Sequence, residues 1–179
     1  MKIFLTGFMG AGKTSIGLLL AHHFNIPFFD QDRLLETQYG ITAGGLFERE
    51  GEERFRELER ELLLNFEYPE AFVFSTGGGC PCFHGNMDWI NQHGISIYLA
   101  GTASLLATRL EKHKTTRPLI MHIPAAELEA DVTHRLAARA PFYELSALHV
   151  PLKEGYSKGE VFHDVLNAIT RAGFTSQDS

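Results

Sequence analysis

Along the chain, short runs of consecutive apolar residues alternate with longer stretches whose apolar positions recur every three or four residues. The runs fall at residues 2–6 (KIFLT), 26–29 (IPFF), 71–75 (AFVFS), 95–100 (ISIYLA) and 148–151 (LHVP). Most are apolar at neighbouring positions rather than alternate ones. They read as strands buried on both faces, as in a parallel sheet covered by helices. Between them, Ile16, Leu19, Leu20 and Phe24 form one stripe of a 3.6-residue period, and Phe55, Leu58, Leu62 and Phe66 form another. Residues 102–112, 125–145 and 157–171 carry the same helical pattern, with Pro141 expected to bend or end the second of these. The alternation predicts a three-layer α/β domain with right-handed crossovers.

Two segments fit this alternation poorly. About forty residues between Phe29 and Ala71 carry a charged helical pattern without a strand. Residues 111–123 (EKHKTTRPLIMHI) are polar and basic. Both are expected to leave the sheet, and such excursions are where substrate handling tends to sit. The residues after Phe174 (TSQDS) read as a disordered tail. With no repeat and no interdomain linker, residues 1–179 read as a single domain.

Composition narrows the class. Of 179 residues, 44% are hydrophobic and 21% charged, enough to bury a core. A net charge of −6 gives no general footprint for nucleic acid or an anionic membrane and leaves room only for a local basic pocket. Two cysteines cannot build a disulfide framework, which favours a reducing, cytoplasmic setting. No stretch approaches the roughly 18 uninterrupted apolar residues of a membrane span. The apolar start of the chain is broken by glycines, hydroxyl residues and Lys13, unlike a secretory leader.

The strongest chemical signal is Gly7-Phe8-Met9-Gly10-Ala11-Gly12-Lys13-Thr14, a G-x-x-x-x-G-K-T sequence directly after the first strand. Its glycines allow a tight loop whose backbone N–H groups face phosphate oxygens, at the positive end of the helix that follows. Lys13 is expected to reach the β- and γ-phosphates, and the Thr14 hydroxyl to ligate Mg²⁺.

Other candidates each carry two readings. Asp30 and Asp32, at the end of the second strand, suit water held on a metal and a proton accepted from a hydroxyl; equally, Asp30 caps a helix and Asp32 is solvated. Arg56 lies within helical reach of Glu52 and Glu59, which usually means a solvated ion-pair face; otherwise it is an arginine held ready for an anion. Gly77, Gly78 and Gly79 permit close approach of a ligand or form a flexible connection. Arg117, stiffened by Pro118, and Arg109 suit a mobile segment over a triphosphate, or a plain surface loop. Arg139 taken alone reads as a surface charge. Cys80-Pro81-Cys82-Phe83-His84 lacks the two-residue gap and second cysteine pair of a zinc site.

Taken together and in order, GFMGAGKT, FFDQD, FRELE, TGGG, RPLI and RAPFYE resemble the shikimate kinase family from Ile3 to about Leu166. The resemblance implies a P-loop kinase fold like that of the nucleoside monophosphate kinases, with a five-stranded parallel sheet flanked by helices. Residues of roughly 31–60 would bind shikimate and roughly 111–124 would form a lid. It implies phosphorylation of the 3-hydroxyl of shikimate by ATP and Mg²⁺, in the route to chorismate and the aromatic amino acids. ATP would be bound by Gly10, Ala11, Gly12, Lys13, Thr14, Ser15, Arg109 and Arg117, with Arg109 against adenine. Thr14 would hold the metal directly and Asp30 through water. Asp32, Arg56, Gly78, Gly79 and Arg139 would bind shikimate, with Lys13, Asp32 and Arg117 catalytic. Glu59 would orient Arg56. A GTP-dependent switch is disfavoured, because no Asn-Lys-x-Asp motif occurs. Nothing suggests an interface, so a monomer is expected.

Overall fold

The computed structural model describes residues 1–112 and 118–174. Five strands form one parallel sheet: β1 (Lys2–Thr6), β2 (Phe28–Asp30), β3 (Phe72–Ser75), β4 (Ile95–Ala100) and β5 (Leu148–Pro151), in the order β2-β3-β1-β4-β5. The helices are α1 (Lys13–Phe24), α2 (Gln31–Tyr39), α3 (Ala43–Asn65), α4 (Asn86–His93), α5 (Ala103–Glu111), α6 (Pro118–Met121), α7 (Ala125–Tyr143) and α8 (Lys158–Arg171). Central β1 has β3 on one side and β4 on the other, with Leu5 opposite both Ser75 and Ile97. The chain therefore fills one flank of β1 before crossing to the other. In open α/β sheets the cleft at such a switch is where ligands bind.

The apolar runs of the three central strands are buried as their pattern predicts, whereas the edge strands are not: Phe28 and Phe29 in β2 are half-buried, and in β5 His149 and Pro151 are exposed. Ile3, Phe4, Leu5, Val73, Phe74, Ile97 and Leu99 are all fully buried. On one face Phe4 meets Phe72 and Trp89 edge-on at 5.3 and 6.0 Å, an arrangement aromatic rings favour. Strand β2 begins two residues later than the apolar run suggested. The Ile26 N–H closes α1 by donating to Ala21, and pairing starts at the Pro27 carbonyl, which accepts from Val73. In α1, Ile16 and Leu20 are buried but Leu19 is 37% exposed. The buried face rotates towards Gly17, whose missing side chain seats the Phe28 ring. Helix α7 passes through Pro141 and ends at Tyr143, so the proline occupies its last turn. The strandless segment after β2 forms α2 and α3, and α3 is kinked at Gly51. Among the described residues, no helix is long and apolar enough to cross a membrane.

Candidate active site

Three neighbouring strands, β1, β2 and β3, bring their C-terminal ends to one side of the sheet. Each end carries a motif singled out in the sequence: the glycine-rich loop 7–14, the pair Asp30 and Asp32, and the triplet Gly77–Gly79.

The loop after β1 turns because Gly10 and Gly12 take left-handed backbone (φ 82° and 97°), where a side chain is strained. Helix α1 starts at Lys13 with no side-chain cap and no acidic residue in its first turn. Its backbone N–H groups and dipole are thus left for an external anion. Lys13 is buried, and its ammonium donates to the carbonyls of Gly7 (2.7 Å) and Phe8 (3.2 Å). Opposite, the Arg109 Nη1 points at the carbonyls of Gly10 and Ala11, 3.5 and 3.4 Å away.

Asp30 caps α2, one of its two anticipated roles. One carboxylate oxygen caps α2 by accepting from the Arg33 N–H, and the other accepts from the Thr14 hydroxyl at 2.7 Å. A hydroxyl and a carboxylate side by side beneath a phosphate loop fit Mg²⁺, which takes one or two protein oxygens alongside phosphate and water. Asp32, one residue into α2, is exposed to the cleft.

Two residues of the glycine triplet, Gly77 and Gly79, have a reason to be glycine that neither sequence reading named. None of its residues has a positive φ, so conformation does not demand glycine. Space does. A Cβ at Gly79 would overlap the Arg56 guanidinium, and one at Gly77 would overlap Glu59 Oε1 and lie 3.1 Å from Asp32 Oδ1. The triplet is a flat floor on which the acceptor-side charges rest.

Arg56 is not on a solvated face; it is 4% exposed and Glu59 is 1% exposed. Helix α3 turns this side towards the sheet because Phe55, Leu58 and Leu63 are core residues, which draws the polar pair inward with them. Arg56 Nη1 donates to Glu59 at 2.6 Å and Nη2 to Glu52 at 3.2 Å, while the buried Nε has no hydrogen-bond partner among the described residues. Burial pushes the Glu59 carboxyl up to about 7, with Arg56 and Arg139 pulling it back and Asp32 adding to the rise. Arg139, half-buried rather than a free surface charge, lies over the Phe8 ring at 5.5 Å and beside Gly78. Arg117 lies outside the described residues, as do the rest of residues 113–117 in the basic stretch and residues 175–179.

A cavity of about 730 Å³ joins these parts. Gly10, Ala11, Gly12, Lys13, Thr14, Ser15, Asp30, Asp32, Gly78 and Arg109 line it, whereas Arg56, Gly79 and Arg139 are not among its lining residues. Its far wall also uses Lys112, Tyr156, Ser157 and Lys158, which sequence reading passed over. Gln31 was missed too. Fully buried between the aspartates, it accepts from the Gly77 N–H and donates to the Glu59 carbonyl, both at 2.8 Å. A polar residue between two strand-end carboxylates was the available signal.

A phosphate loop feeding an uncapped helix, on a parallel sheet with β1 central, defines a P-loop kinase. A family model described as "Shikimate kinase" matches residues 9–170. A shikimate kinase of Parabacteroides distasonis is 38% identical over 170 residues, 95% of this chain and 98% of that protein. The crystal structure of shikimate kinase from Bacteroides thetaiotaomicron superposes with a TM-score of 0.88 at 36% identity, covering 97% of this chain and 98% of the other. That from Acinetobacter baumannii, in complex with shikimate, gives 0.84 at 30%, with 97% and 95% covered. The chain belongs to the shikimate kinase family.

Proposed function

We propose that this chain transfers the γ-phosphoryl group of ATP to the 3-hydroxyl of shikimate, releasing ADP and shikimate 3-phosphate. The observation that carries the acceptor is Arg56. Its Nε–H is buried without a partner among the described residues, and the adjoining Nη2 is held by a glutamate whose side chain is 56% exposed. A planar carboxylate is the group that such an edge takes up bidentately, in exchange for Glu52.

The rest of the site supplies the reaction. The loop N–H groups and α1 hold the phosphates, and Lys13 leaves the Gly7 and Phe8 carbonyls to meet charge building on the transferred group. Thr14 and Asp30 would hold Mg²⁺, Asp30 through water, and the bound ion would supply positive charge against the phosphates. Asp32 accepts the proton of the 3-hydroxyl as its oxygen bonds to the γ-phosphorus and the bond to the β–γ bridging oxygen breaks. Arg56 and Arg139 hold the acceptor carboxylate, with Gly78 and Gly79 beneath its ring. Arg109 would lie beside the nucleotide, and the family resemblance gives Arg117 the phosphates.

ADP release from MgATP tests this directly, with shikimate, gluconate, a nucleoside monophosphate and no acceptor compared. Turnover with shikimate alone, lost in Asp32→Asn, is expected. Equal turnover with gluconate would overturn the acceptor and leave the kinase class standing.

A further inference from the structure

Arg60 stands one helical turn beyond Arg56 on α3, on the same side of the helix. Its Nη1 donates to the His84 carbonyl and, at 2.8 Å, to Asn86 Oδ1. Asn86 is fully buried and passes the link on, its Nδ2 donating to the Cys80 carbonyl at 2.8 Å. Arg60 is thereby tied to both ends of the turn that leaves the glycine triplet. That turn needs holding. His84 and Gly85 follow one another in left-handed backbone (φ 52° and 69°), and histidine, unlike glycine, is strained there. What the turn carries is Phe83, whose ring lies 4.8 Å from the Arg56 guanidinium carbon, nearer than the rings of Phe47 (5.7 Å) and Phe55 (5.4 Å).

We infer that Arg60 is a positioning residue for the acceptor site: by clamping the 83–86 turn it holds Phe83 over Arg56 and sets the plane in which that guanidinium meets the acceptor's carboxylate. This rests on the assignment of Arg56 to that carboxylate. Glu59 holds only Nη1 and Glu52 only Nη2, so ion pairing alone leaves the fork free to tilt about that edge. An aromatic face restrains the tilt, because a guanidinium is attracted to it by charge and stacks on it by shape. Asn86 and Cys80 make the restraint continuous with Gly79, against which the guanidinium lies.

The test is steady-state kinetics on Arg60→Gln, Phe83→Leu, the double variant, Arg60→Lys and Arg56→Lys. Arg60→Gln and Phe83→Leu are each expected to raise the shikimate KM about three- to ten-fold, leaving kcat and the MgATP KM within about two-fold. Because both act through one contact, the double variant should match the worse single rather than multiply the effects. Arg60→Lys keeps the charge and one donor, so it should recover part of the loss; it carries the test if the glutamine variant does not fold. An unchanged shikimate KM in the Arg60 variant that folds, or multiplicative effects in the double, overturns the proposal. So does a general fall in kcat with both KM values shifted. Arg56→Lys separates the layers. If it raises the shikimate KM and Arg60→Gln does not, the clamp alone fails; if it has no effect, the carboxylate assignment fails and takes the clamp with it.

Discussion

Arg54 and Arg56 sit two residues apart on α3, and each has a glutamate three residues on and a further carboxylate nearby. Arg54 pairs with Glu57 at 2.7 Å and Glu61 at 2.9 Å; Arg56 pairs with Glu59 at 2.6 Å and Glu52 at 3.2 Å. By distance the two sets are alike. Exposure separates them: the Arg54, Glu57 and Glu61 side chains are 45%, 46% and 54% exposed, against 5% and 2% for Arg56 and Glu59. Two residues turn a helix by about 200°, so one set faces water and the other faces the sheet. In water, such pairs are screened and their side chains stay mobile, so they contribute little. Under the glycine triplet, the same chemistry becomes a fixed charge with one N–H to offer. A solvated ion-pair face describes Arg54 but not Arg56, for which the sequence offered it.

The largest way to break the comparison is to remove the buried cation. Arg56→Ala strands Glu59 in a dry site and should destabilise the fold by about 3–5 kcal/mol in urea melts. A loss as small as that of an exposed pair would mean that Glu59 is hydrated. Next comes pH. The Glu59 carboxyl, ordinarily near 4.5, is pushed up to about 7 by burial. Between those values the folded chain keeps a proton that the unfolded chain has released. The Glu59 contribution to stability is therefore full below pH 4.5 and falls as pH rises towards 7. Over that window the parent should lose roughly 1–3 kcal/mol relative to Glu59→Gln. Parallel pH profiles would show that the carboxyl titrates alike folded and unfolded. Gly79→Ala sharpens the contrast from the other side. Its new methyl meets the guanidinium and should cost about 1–3 kcal/mol while raising the shikimate KM. Arg54→Ala should be the null case, with Tm and both KM values those of the parent; a shift in shikimate KM would mean that the outer set feeds the inner one.

Much of this was legible in one dimension. Strands β1, β4 and β5 begin and end where the apolar runs do; for β1 and β4 the reason is burial on both faces, which writes consecutive apolar residues, while edge strand β5 buries only Val150. The phosphate loop was legible for a related reason: its glycines, its lysine and its hydroxyl act through local geometry within eight residues. Strand β2 was displaced because the Ile26 N–H is drawn back into the cap of α1, which an apolar residue does not announce. Leu19 was misplaced because helical periodicity shows that a stripe exists but fixes its centre only within a residue or so; packing against Phe28 moved it towards Gly17. Arg139 read as a surface charge because its neighbours, Phe8 and Gly78, lie more than sixty residues away in sequence.

What the sequence determined by itself was therefore everything whose cause is short-ranged: the alternation of strand and helix, the anion-binding loop, and the acceptor motifs in order. What tertiary structure decided was which of two similar arginines is buried, and why two of the three successive glycines after β3 are glycine. Gly77 and Gly79 are glycine to leave room for side chains from α2 and α3, not to bend the backbone. Burial and steric room are properties of what lies across a gap. No local pattern encodes them until the sheet has brought Gly79 and Arg56 together.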